Sequence, residues 1–130
     1  IFVYNAAFET TRIRELAERH PRLSQALLAL NDRVVDLLPI ARQHYYHPSQ
    51  QGSWSIKALL PALCPELRYD ALDGVQDGGA AQQAYLEAIA EGTSAARKEA
   101  LERQLLAYCH LDTWAMVRLW AAFTAMTLKD

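Results

Sequence analysis

The sequence predicts an α/β domain, mostly helical with a minor sheet. Three observations carry that prediction. Apolar residues recur at three- and four-residue steps over most of the chain. Two short apolar runs, Ile1–Tyr4 and Arg33–Leu38, break the helical period and read as strands. No internal repeat and no Pro/Gly-rich linker divides the 130 residues, so residues 1–130 make a single domain of ordinary size.

The elements follow in order. Ile1-Phe-Val-Tyr4 is a short strand that Asn5 breaks. Phe8, Ile13, Leu16, Ala17 and His20 then step as one face of a helix, and Pro21 ends that helix or begins the next. Leu23, Ala26, Leu27 and Leu30 form a second short helix, closed near Asn31. The run Arg33–Leu38, bounded by Asn31-Asp32 and Pro39, is the second strand or strand-like segment. Residues 43–54 are loop, punctuated by Pro48 and Gly52, after which Ser53 or Ser55 caps a helix through Leu63. Pro61 within that helix implies a kink or an early stop. Pro65 to Gly79 is irregular. Asp77 caps a helix through Glu91, and Gly92-Thr-Ser94 stops it and caps the last helical stretch, 95–126, as one helix or two.

Composition bounds the function. Apolar residues are 52% and charged residues 22% of the chain, which excludes wholesale disorder. No uncharged run reaches the ~18 residues a membrane span needs, and no signal peptide opens the chain, so no membrane partner is expected. Two cysteines, Cys64 and Cys109, are too few for a disulfide framework and point to a reducing, cytoplasmic setting. Thirteen Lys and Arg against 15 Asp and Glu give a net charge of −2, so nucleic acid would have to be held by a local site rather than by bulk positive charge. An apolar strand in progress at residue 1 implies that the chain continues a longer one.

Two carboxylates stand out of phase. Leu101, Leu105, Tyr108, Asp112, Ala115, Leu119 and Phe123 share one helical face, which puts Asp112 in the middle of an apolar stripe. Burying a carboxylate there is costly unless it is paired, hydrogen-bonded or metal-bound. Asn5, Glu9, Ile13, Leu16 and His20 repeat the pattern, placing Glu9 about one turn beyond the carboxyl end of a strand, where ligand groups of α/β folds gather. Plain structural roles compete. Asn5 can cap the first helix and Glu9 can serve its dipole, although a capping box would need the acid at Phe8. Asp112, with Thr113, can cap a new helix at a break in 95–126.

Phe2-Val-Tyr-Asn-Ala-Ala-Phe-Glu9 resembles the second acidic motif of the DEDD exonucleases, the proofreading-type branch of the RNase H-like superfamily, with Glu9 where that family usually has Asp. Tyr108-Cys-His-Leu-Asp112 is similar to their third motif, and Arg33-Val-Val-Asp36 with Ser55-Ile-Lys-Ala-Leu59 to the elements between. The chain also resembles a bacterial family of unknown function in which such a domain is joined to a RecB-like nuclease region. The stretches Gly52–Leu60, Gly74–Gly79 and Tyr108–Thr113 carry that likeness.

The resemblance implies the second half of an RNase H-like module, lacking its first strands, from a 3′–5′ exonuclease of DNA or RNA. It implies Glu9 and Asp112 as ligands of Mg²⁺ or Mn²⁺, Tyr108 as the residue that holds the attacking water, and Asn5 as the residue that orients Glu9 or the substrate backbone. Two-metal hydrolysis sets two hard cations ~3.5–4 Å apart among carboxylates. The family's Asp-x-Glu motif occurs nowhere in these 130 residues, so at most half a metal site is expected and the isolated chain should be inactive. The alternative is a non-catalytic docking or scaffolding module beside the RecB-like region.

Other groups rank lower. His44, His47, Cys64, Cys109 and His110 lack zinc-ligand spacing, so zinc is not expected. Trp54 and Lys57, with Tyr45 and Tyr46, are weaker substrate-binding candidates, and anchoring of the loop to the core competes with that role. Asp36 is the weakest acidic candidate. Strand 1–4, as an exposed apolar edge, is expected to drive self-association.

Overall fold

The computed structural model describes residues 1–124. It is mostly helical, with a two-stranded parallel sheet: β1 (Phe2–Val3), α1 (Ala6–Arg19), α2 (Ser24–Asn31), β2 (Val35–Asp36), α3 (Leu37–His44), α4 (Ile56–Leu63), α5 (Gly78–Ile89) and α6 (Ala95–Thr124). Phe2 pairs with Val35 and Val3 with Asp36. Parallel pairing needs a crossover, and the α1–α2 hairpin provides it. The expectation for residues 125 and 126 lies outside the described residues.

Asp36 ties the two strand ends together. Its Oδ1 accepts hydrogen bonds from the backbone N–H of Asn5 (2.9 Å) and Leu38 (3.0 Å), and its Oδ2 accepts one from Ala6 N–H (2.9 Å). One carboxylate thus caps α3 and holds the β1–α1 junction. Asn5 turns that corner at φ 76°, a left-handed conformation Asn tolerates better than most residues, and its side chain does not cap α1. The candidate acid Asp36 is therefore occupied by backbone.

Leu37 and Leu38 depart from the expected strand. They form the first turn of α3, and Pro39 sits where its missing N–H has no intrahelical partner to lose. The cap from Asp36 overrides the β-branched pattern upstream. Elsewhere the expected signals act in part, and α5 ends at Ile89, two residues short of the expected Glu91. Asp77 caps α5 by accepting from Ala80 N–H at 2.8 Å. Helix α4 stops at Leu63, two residues after Pro61. Ser55 takes its N-cap position without a side-chain cap bond. His47 and Gln50 close a capping box around a short 3₁₀ turn inside the expected loop.

Two cores share α6. The larger joins Leu37, Ala41, Leu59, Leu60, Cys64 and Tyr69 to Leu111, Ala115 and Leu119. The smaller joins Val75 and Ala84 to Leu101. Tyr108 packs against both. Gly74, next to Val75 of the smaller core, turns at φ 76°, in the left-handed region that favours glycine. The α1–α2 hairpin contributes only Ala17 to the buried set, so it is held chiefly through its ends.

Replacing Asp36 with Ala removes three hydrogen bonds at once. We expect a loss of roughly 2–3 kcal/mol in urea-unfolding stability, with Asp36→Asn costing less. A change under about 0.5 kcal/mol, the range of ordinary surface substitutions, would contradict the tie.

Candidate active site: a cleft between β1, α1 and α6

Glu9 and Asp112 meet in one cleft of about 520 Å³. Its apolar wall comes from Phe2, Met116, Val117 and Trp120, with Phe2 and Trp120 stacked at 4.2 Å between ring centroids. The parallel strands put α1 just past the sheet's carboxyl edge, and the next turn of α1 carries Glu9 to the rim. Helix α6 is continuous from Ala95 to Thr124, so Asp112 is no cap at a break. It keeps the phase of the buried Ala115 and Leu119 yet is exposed, because the stripe opens into the cleft at that turn.

The electrostatics are those of an unpaired acidic pocket. Oε2 of Glu9 is buried without a hydrogen-bond partner. Burial pushes the Glu9 carboxyl above its ordinary pKa, the Glu9 backbone N–H opposes that, and the charges of Asp36 and Asp112 add to the rise. Asp112 is held from the other side. The buried Tyr69 donates its O–H to Asp112 Oδ1 at 2.7 Å, and burial followed by this bond raises the pKa of Tyr69. The bond engages Oδ1 alone.

The other anticipated residues are spread over the surroundings. Tyr108 does not line the cleft. Its ring tilts against Tyr69 at 6.1 Å, and its hydroxyl lies near the start of α5, 3.9 Å from where a Cβ on Gly78 would stand. Asn5 and Trp54 line an adjoining cleft. Lys57 lines a third, with Arg68 and Tyr69, and is 3.5 Å from Asp77. Tyr69 is the residue that pattern analysis missed. It lies in the irregular 65–79 segment, where no period marks an inward side chain.

Hard carboxylate oxygens suit Mg²⁺ or Mn²⁺, and the orphaned Glu9 oxygen fits a cation as its missing partner. Two such groups make only part of a site. Among the described residues, no cluster of three or more His, Cys, Asp or Glu is placed to hold a metal.

A family model described as "Domain of unknown function (DUF2779)" matches residues 1–55. The match takes in β1 through α3 and so includes Asn5, Glu9, Asp36 and Trp54, but not Tyr69 or Asp112. No curated protein and no solved structure matches the chain.

Two outcomes follow from the pocket's chemistry. Because the folded pKa of Glu9 is raised, its contribution to stability is full below the ordinary Glu range, about pH 4, and is lost as pH climbs through the raised value. Glu9→Gln should therefore raise the melting temperature at pH 7, and the gain should vanish near pH 4. An unchanged or lower melting temperature at pH 7 would refute the unpaired pocket. Tyr69→Phe and Asp112→Asn should show a coupling of about 1 kcal/mol in a double-mutant cycle of unfolding, whereas Tyr108→Phe with Asp112→Asn should be additive.

Proposed function

We propose that the cleft is half of a divalent-cation site in an exonuclease-like domain of the RNase H-like, DEDD type, acting on phosphodiesters of DNA or RNA. The observation that carries this is the convergence of Glu9 and Asp112, 103 positions apart in the sequence, on one cleft at the carboxyl edge of a parallel sheet. Glu9 and Asp112 would hold Mg²⁺ or Mn²⁺, with the remaining carboxylates supplied by an Asp-x-Glu strand outside these 130 residues. When bound, the cation polarises the phosphoryl group and stabilises the charge that builds as the diester breaks. Tyr69 fixes the direction of Asp112 through Oδ1 and leaves Oδ2 for other partners. The apolar wall of Phe2 and Trp120 lowers the local dielectric, which strengthens charge interactions within the cleft. The likeness of Phe2–Glu9 and Tyr108–Asp112 to the second and third acidic motifs supports this reading.

A second reading rests on a different observation. Ile1, Phe2 and Val35 are 48%, 37% and 42% exposed on the short sheet, and such an edge favours a docking or scaffolding role through self-association or through a neighbouring nuclease region. A strictly monomeric species at high concentration in sedimentation velocity would count against self-association.

The isolated chain should degrade no single-stranded DNA with Mg²⁺ or Mn²⁺. In a protein that carries an Asp-x-Glu strand ahead of Ile1, Mn²⁺-dependent degradation should fall at least about a hundredfold on Glu9→Gln or Asp112→Asn. Activity indifferent to both substitutions would remove the nuclease reading. So would robust activity of the isolated chain that does not depend on these two residues.

A further inference from the structure

Beside the carboxylate cleft lies a second one, of about 470 Å³, with different chemistry. Tyr4 and Ile56 line both, so the two adjoin along that wall. The second cleft is lined by Arg42, Trp54 and Asn5. Among the described residues, Arg42 pairs with no carboxylate, as is also true of Arg14, Arg19, Arg22, Arg33 and Lys98, and of these Arg42 alone lines this cleft. Trp54 is half-buried and packs against the larger core, as the anchoring role expects, and its backbone carbonyl accepts the Tyr4 O–H at 2.7 Å. Its ring tilts against Tyr46 at 6.2 Å, and Tyr46 is 61% exposed. Gly52, at φ 78°, leaves the margin open: a Cβ there would meet nothing within 4 Å.

We propose that this cleft is a nucleotide subsite next to the carboxylate pair. Arg42 binds a backbone phosphate, for which the planar guanidinium fork is suited, and Trp54 with Tyr46 stacks the attached base. Stacking on a side chain requires a base released from its pair, so the ligand is a single strand. Asn5, turned to the cleft edge by its left-handed backbone, adds an amide for the sugar–phosphate chain. The arrangement answers an electrostatic difficulty of the first cleft. Bare carboxylates repel phosphates, and the unpaired cation next door draws the strand to the rim. This deepens the nuclease reading and rests on it for what the bound strand is used for.

The test is fluorescence anisotropy of a labelled oligothymidylate of eight nucleotides, titrated with the full chain at low salt in EDTA. Saturable binding is expected, weakened about tenfold by Arg42→Glu and less by Arg42→Lys, because one phosphate contact is lost or reduced to a point charge. Tyr46→Ala, at an exposed position, should weaken it severalfold. Arg22→Glu, on the far turn between α1 and α2, is the charge-matched control and should do little. No binding by the wild-type chain overturns the subsite, and so does equal weakening by Arg22→Glu and Arg42→Glu, which would mean diffuse attraction. Because no metal is present, the result separates from the nuclease reading. Glu9→Gln and Asp112→Asn should leave or strengthen this binding, and their effect on Mn²⁺-dependent cleavage is a separate measurement.

Discussion

Everything at the functional edge of this domain depends on one carboxylate that does no chemistry. Asp36 accepts from the backbone N–H groups of Asn5, Ala6 and Leu38. A two-residue parallel pair is too short to be stable by its ladder alone. The carboxylate compensates by fastening the exit of each strand to the helix that follows. It sets the angle at which α1 leaves β1, and through α1 the position of Glu9. The same anion adds to the rise in the pKa of Glu9. The geometry and the electrostatics of the cleft thus share a structural origin thirty positions away from Ala6 in sequence.

Around that tie the two clefts differ in charge and polarity. One holds two carboxylates against the Phe2–Trp120 stack. Its neighbour is lined by Arg42 and Trp54. Tyr4 stands on the shared wall. Burial pushes its hydroxyl pKa up to about 12, the Arg42 charge opposes that rise, and the Asp36 charge adds to it. It therefore remains a neutral donor to the Trp54 carbonyl at any physiological pH. Tyr69 plays the matching part behind Asp112. Neutral phenols, one behind each cleft, hold the working groups without adding charge.

Much of this was written in local patterns. The periodicity placed α1, α2, α5 and α6, Asp77 announced the start of α5, and the phase of Glu9 and Asp112 singled out the two acids that meet. The failures have identifiable causes. Leu37 and Leu38 look like strand because their neighbours are β-branched, but a cap and a proline in the first turn recruited them to α3. Asp36 looked like a spare acid because its partners Asn5 and Ala6 are remote in sequence. Tyr69 was hidden in a segment with no period. Asp112 sits at the centre of an apolar stripe and is nonetheless exposed, because phase reports direction and says nothing about whether a neighbour covers it.

The continuity of α6 constrains how this chain can change length. The helix fastens Leu101 into the small core and Leu111, Ala115 and Leu119 into the large one, with Asp112 between them. A single inserted residue between Leu101 and Leu111 would swing everything beyond it by about 100° about the axis. Asp112 would leave the cleft and a polar side chain would enter the core, although the helix itself would survive. Seven inserted residues would return the angular register to within about 20° but still carry everything beyond them about 10 Å along the axis, away from its partners. Loops elsewhere in the molecule are free of this rule, so α6 serves as a protractor as well as a wall.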